Sequence, residues 1–343
     1  MRRALLLAMV VVVALQVITV RHLTMAATAS HESPVDGVLG SEVIFHNHTY
    51  LVHERALLVN ELNRTVREYV YIVLPRNGTY VHSVVLKVEP EAIRFERDAE
   101  GNVFALVFVE VEPGGRIWVN VTFKVSVGGY NIYLNKSKAM WPPLKIAQVY
   151  TRDTIYWNID NETLRELAYE VAYSDNPLES VRLIARWVQE HLAYEVTGGR
   201  KGSDRAIASV GGRLVIKGDC VEAADTFVTL ARILGIPART VYGFLLNRYE
   251  EKHWLNFTIR EEGMELLTHW GGHMWAQVYI PPWGWIDVEM LEDLREPKIA
   301  DFSNLHVPFG VEGVTFHGTG LLEFVIPSYL TLQYQEFEFK RGD

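Results

Sequence analysis

Near residue 150 the spacing of apolar residues along this chain changes from two to about 3.6, so the sequence must build a sheet region first and a helix-bearing region second. Upstream, the runs Glu68–Pro75, His82–Pro90, Asn102–Glu112 and Arg116–Val127 are rich in β-branched and aromatic residues, and the turn signals RNGT, RDAEGN and PGGR separate them. Short strands at that rhythm predict a β-sandwich over residues 38–150. Downstream, Asn161–Ala172 and Pro177–Val196 carry apolar residues at helical spacing, with Val181, Ile184, Ala185, Val188 and Leu192 on related turns. The boundary falls near the loop after Tyr133–Pro143. A core is expected over residues 151–300, and residues 301–343 supply strands that complete or cap it. The fold class is therefore α+β.

The chain opens with Met1-Arg2-Arg3, an apolar run from Ala4 to Val20, and the small-residue stretch ending Ala27-Thr28-Ala29. Residues 1–29 thus read as a secretory signal, or as an anchor if they are retained. Asn47, Asn63, Asn77, Asn120, Asn135, Asn161 and Asn256 each open an Asn-x-Ser/Thr triplet, which agrees with an extracellular or cell-surface location. Membrane contact is expected only through a retained N-terminal segment. A formal charge of −9 and the lack of a long Lys/Arg block argue against a nucleic-acid partner. The sequence has neither a phosphate-cradling glycine motif nor a cysteine cluster of zinc spacing, so no cofactor or metal is expected.

One cysteine is present, Cys220, and it cannot form a disulfide within its own chain. Asp219 just before it is a plausible N-cap. Glu222, three residues on, completes a capping box ahead of the helically spaced Ala223, Phe227, Leu230, Ala231 and Leu234. Gly235 and Pro237 then mark the helix end. Cys220 falls in the first turn, where free amides and the helix field favour a thiolate and can hold charge developing on an attacked carbonyl. Two later runs, His273–Ile280 and Gly284–Met290, read as strands joined by a short turn. Period two places His273, Trp275, Gln277 and Tyr279 on one face of the first, and Trp285, Asp287 and Glu289 on one face of the second. Antiparallel pairing would let one of those carboxylates orient His273 and leave its other nitrogen for Cys220. A thiol, an imidazole and an acid are the parts of an acyl-transfer site.

Gly218-Asp219-Cys220 with its helix, Leu234–Arg239, His273-Met274-Trp275 and Trp285 together resemble the core of the transglutaminase-like, papain-related cysteine enzyme superfamily over roughly residues 176–290. The resemblance implies a nucleophile-bearing helix packed on an antiparallel sheet, with Cys220 as nucleophile and His273 as general base. The superfamily's acid stands sixteen residues after the histidine and often opens an Asp-Pro-Thr stretch; here that position holds Glu289, while Asp287 lies two residues earlier on the same face. Trp275 and Trp283 are candidates to line a substrate groove, and His269, Gln277 and Tyr194 are candidate second oxyanion donors. The expected reaction is thiol-dependent acyl transfer from amide bonds of proteins or peptides, cell-envelope proteins among them, with hydrolysis favoured over amine crosslinking. A surface adhesion or structural protein keeping a degenerate core is the reading from another class.

Overall fold

The computed structural model describes residues 46–196, 199–256, 271–293, 295–314, 324–325 and 329–342. The segment 1–29 and His269 lie outside them. In the first third of the chain six strands form, β1 (His46–Asn60), β2 (Val66–Leu74), β3 (Val81–Glu89), β4 (Ala92–Arg97), β5 (Val103–Val111) and β6 (Arg116–Asn131). Helices follow: α1 (Leu144–Tyr150), α2 (Glu162–Ala172) and α3 (Pro177–His191). Asn161 and Asn176 cap α2 and α3, each side chain accepting from backbone amides of the first turn.

Next come β7 (Leu192–Tyr194), α4 (Ser203–Ala206), β8 (Ile207–Val210), β9 (Arg213–Gly218) and α5 (Cys220–Ile233). The chain then continues as β10 (Ala238–Leu245), β11 (Glu251–Asn256), β12 (Gly272–Ile280), β13 (Gly284–Glu289), β14 (Lys298–Ile299), β15 (Asp301–Phe302), β16 (His306–Glu312), β17 (Phe324–Val325) and β18 (Leu330–Arg341). The connection between α4 and α5, which has no assigned form from sequence, is a hairpin. Gly211 and Gly212 both take positive φ, the conformation a two-residue turn between right-twisted strands requires.

Two sheets make the β-rich part. One runs β11-β18-β1-β6-β15 with β3 also on β6; the other runs β17-β2-β5-β4. The sandwich expected from local sequence is present, but its larger sheet recruits strands from the far end of the chain. β18 pairs antiparallel with β1 along its length, from Tyr50 opposite Arg341 to Asn60 opposite Leu330. Phe337 and Phe339 of β18 join Tyr50, Val52, Phe123 and Val125 in one buried cluster.

A third sheet, β14-β13-β12-β10-β16, carries α5. Phe227, Leu230 and Ala231 of the helix share a second buried cluster with Val241, Ala276, Val278 and Val288 of that sheet and with Ile184 and Val188 of α3. The opposite set of sheet residues, Tyr242, Phe244, Met274, Val307 and Phe309, lies in the sandwich cluster. The sheet is thus covered on both sides, which accounts for the almost unbroken burial of Ala238–Phe244. Among the described residues no helix is long and apolar enough to cross a membrane.

Candidate active site

Cys220 is the first residue of α5, and local chemistry fixes it there. Val221 N–H donates to Asp219 Oδ1 at 2.9 Å, and Asp219 N–H donates back to Glu222 Oε2 at 3.2 Å, a complete capping box. A Cβ on Gly218 would collide with the Glu222 side chain, so the reach of Glu222 requires glycine there. At the other end Gly235 takes φ +79° and Ile236 N–H closes onto Ala231 O at 2.9 Å, ending the helix as expected. Replacing Asp219 by alanine is expected to lower stability by about 1 kcal/mol, read as a lower urea midpoint at unchanged slope.

His273 lies on β12 opposite Gly243 of β10. Its Nε2 is 2.6 Å from Glu289 Oε2 at the end of β13, which leaves Nδ1 for another partner, and Cys220 is close enough to influence the ring's titration. Histidine and glutamate are almost fully buried, whereas Cys220 keeps partial access to solvent. The His273–Glu289 pair is therefore sheltered from solvent.

Burial alone would lower the His273 pKa, but the Glu289 charge, the nearby Cys220 and the hydrogen bond to Glu289 outweigh it and hold the ring well above its ordinary value. Burial likewise pushes Glu289 up, and the charge and hydrogen bond of His273, together with His306, overcome this and depress it strongly. These shifts set a pH window. Stabilisation from the raised His273 is fully present below pH 6.5, its ordinary value, and is lost as pH rises through its folded value. Stabilisation from the depressed Glu289 is present above pH 4.5 and is lost as pH falls through its folded value. Glu289→Gln is therefore expected to lower stability most between pH 4.5 and 6.5, with the difference from wild type shrinking in stronger acid; urea titrations at stepped pH would check it.

Asp287, the other candidate acid, is engaged elsewhere. It accepts from Trp275 Nε1 at 2.9 Å, Gln277 Nε2 at 2.7 Å and the Tyr130 hydroxyl. The glutamate at the expected spacing thus meets the histidine, and the aspartate organises the neighbouring strand. Trp275 is 2% exposed and Trp283 6%, and both belong to the buried core cluster rather than to an open groove wall. Of the candidate second donors, Gln277 accepts from Arg239 Nε and donates to Asp287, whereas Tyr194 is 64% exposed and close enough to feel the charges of Cys220 and Asp219. Burial first, then those two charges, raise the Tyr194 pKa.

Sequence reasoning passed over two features. Arg200, in the glycine-rich loop before α4, is a buried cation. It donates to Asp225 of α5 at 2.6 and 2.8 Å and pairs with Glu312 of β16, with its guanidinium 3.9 Å from the Tyr156 ring. The next residue, Lys201, gives its backbone N–H to Glu222 at 3.1 Å, so this loop is tied to the first turn of the cysteine helix. His306 is the second: it opens β16, 3% exposed, with Nε2 3.4 Å from Glu289 Oε2. His273, Glu289 and His306 bring ligating-type atoms within 4.8 Å of one another, the grouping among the described residues whose donor types suit a divalent cation.

Residues 165–290 match the family described as the transglutaminase-like superfamily. A Haemophilus influenzae protein of uncharacterised function is 30% identical over 132 residues, which is 37% of this chain and 34% of that one. The uncharacterised protein YebA of Bacillus subtilis is 34% identical over 80 residues, 23% of this chain and 10% of that one. The chain thus spans about a third or less of the length of these relatives. Among solved structures, a putative cysteine protease from Cytophaga hutchinsonii aligns at 13% identity and TM-score 0.49, over 87% of this chain and all of that one. The periplasmic domain of TgpA from Pseudomonas aeruginosa aligns at 15% identity and TM-score 0.36, over 67% of this chain and 70% of that one. Residues 165–290, which hold Cys220 at a helix start and His273 and Glu289 on the sheet beside it, are thus similar to the transglutaminase-like superfamily.

Proposed function

We propose that the protein is a thiol-dependent acyl transferase acting on amide groups of proteins or peptides. The observation that carries this reading is the buried 2.6 Å His273–Glu289 pair, with the part-exposed residue Cys220, at the start of α5, close enough to influence the ring's titration. The Cys220 thiolate, its proton already held by His273, attacks the amide carbonyl. Protonated His273 then delivers that proton to the departing nitrogen, leaving a thioester on Cys220. Glu289 keeps the ring oriented and stabilises its charged form. The Cys220 amide, first in its helix and without an intrahelical acceptor, faces charge on the tetrahedral oxygen, and the Tyr194 hydroxyl is the second donor we assign.

His273 next removes a proton from the incoming acceptor, which attacks the thioester and releases the acyl group. An amine acceptor gives a new amide, and water gives a carboxylic acid. The family description favours transfer to an amine over the simple hydrolysis expected from sequence. The expected location outside the cytoplasm, with extracellular or envelope proteins as donors, rests on the N-terminal pattern.

The test is to incubate the protein with glutamine-bearing peptides and a labelled primary amine, following ammonia release and label incorporation together. Release that depends on Cys220 and is matched by incorporation supports amine transfer, and release without incorporation supports hydrolysis. No Cys220-dependent release from side-chain or main-chain amides would refute the reading.

A further inference from the structure

Glu289 stands where an aspartate is usual, and its extra methylene adds a torsion that must be fixed if Oε2 is to stay in line with His273. Three donors surround the carboxylate. His273 Nε2 and His306 Nε2 both approach Oε2, at 2.6 and 3.4 Å, and Leu291 N–H donates to Oε1 at 2.6 Å. The His306 ring is itself fixed from behind, its Nδ1 lying 3.1 Å from Ser303 Oγ. If the serine hydroxyl donates to Nδ1, the ring proton sits on Nε2 and points at Glu289. The rings of Phe302, at 4.6 Å between centroids, and Trp275, at 5.3 Å, wall the imidazole in. A histidine that served only to fill core space would not need both ring nitrogens directed to polar partners, one of them the carboxylate that orients His273.

We infer that His306, backed by Ser303, is a positioning residue for the proposed reaction: its Nε2–H holds the Glu289 carboxylate so that the longer acid presents Oε2 to His273. This rests on the acyl-transfer reading and extends it to an outer element of the site. The carboxylate is held at both oxygens, by His306 at one and by the Leu291 amide at the other, and the freedom of the glutamate is thereby removed. His306 touches neither the sulfur nor the substrate; it acts through Glu289.

The test compares second-order alkylation of Cys220 by iodoacetamide across pH in wild type, His273→Ala, His306→Phe, His306→Gln and Ser303→Ala, with urea unfolding of each. A hydrogen bond to a charged group corresponds to a change on the order of tenfold or more. His306→Phe is therefore expected to slow labelling at pH 6 by about tenfold and to shift the profile toward that of His273→Ala. His306→Gln, whose amide can still donate toward Glu289, should recover most of the rate. In a Glu289→Gln background the His306 substitution should have no further effect, since the group it positions is gone. The pH profile and this non-additivity separate positioning from a loss of stability alone.

Should His306→Phe fail to fold, Ser303→Ala and nitrogen NMR of 15N-histidine-labelled wild type carry the decision. The inference expects His306 as the Nε2–H tautomer and a slowed Ser303→Ala; the Nδ1–H tautomer would overturn it. Labelling that depends on His273 but is unchanged in folded His306→Phe also overturns it while leaving the acyl-transfer reading standing. Labelling that is indifferent to His273 removes both.

Discussion

Cys220→Ala is expected to cut amide turnover by roughly 10⁴ to 10⁶-fold, because removal of the nucleophile leaves only binding and charge stabilisation to act on the substrate. The fold should be undisturbed. Cys220 is partly exposed, and the helix start is held by Asp219, Glu222 and Gly218 rather than by the sulfur. Steady-state ammonia release alongside urea unfolding checks both halves. Loss of turnover together with a large fall in stability would mean that the thiol is structural.

Arg200→Met carries the largest expected loss of stability. The guanidinium and its two acidic partners are almost completely buried, so removing the cation leaves Asp225 and Glu312 desolvated without their counter-charge. Breaking such a buried pair from one side costs about 3–5 kcal/mol. The hydrophobic stem of methionine restores some packing against the Tyr156 ring but none of the charge. In the variant, protonation of the stranded acids relieves the penalty, so the gap from wild type should narrow as pH falls. Urea midpoints at pH 7 and pH 4 would measure this, and a gap that is small at pH 7 or widens in acid would contradict it. The loop from Arg200 to Lys201 also ties to Glu222, so amide exchange should rise in the first turn of α5 before the sheet is affected.

The parts of this molecule readable from sequence are those decided within a few residues. The cap at Asp219, the stop at Gly235 and the faces of β12 and β13 follow from side-chain type and period, and they bring Cys220, His273 and Glu289 to the ends of their elements. The choice between Glu289 and Asp287 was not local. It depends on Tyr130 of β6, which reaches Asp287 across 157 residues of sequence and helps engage it on the far side of the site. Trp275 likewise reads as an available aromatic until Asp287 and Phe302 are seen to enclose it. The return of β18 to β1 rests on pairings separated by nearly the whole chain, which no local pattern encodes. His306 and Arg200 were missed for the same reason. Each is a lone polar residue in sequence, a histidine opening an apolar run and an arginine in a glycine-rich loop, and gains its partners only through folding.

The central claim is that Cys220 is activated by His273 held on Glu289, and the most direct measurement is the rate of iodoacetamide labelling at pH 6 in wild type, His273→Ala and Glu289→Gln. An ordinary thiol, ionising near 8.5, is almost unreactive there. The account predicts fast labelling in wild type, a fall of at least about tenfold in His273→Ala, and an intermediate rate in Glu289→Gln. Equal, slow labelling of all three folded proteins would contradict it.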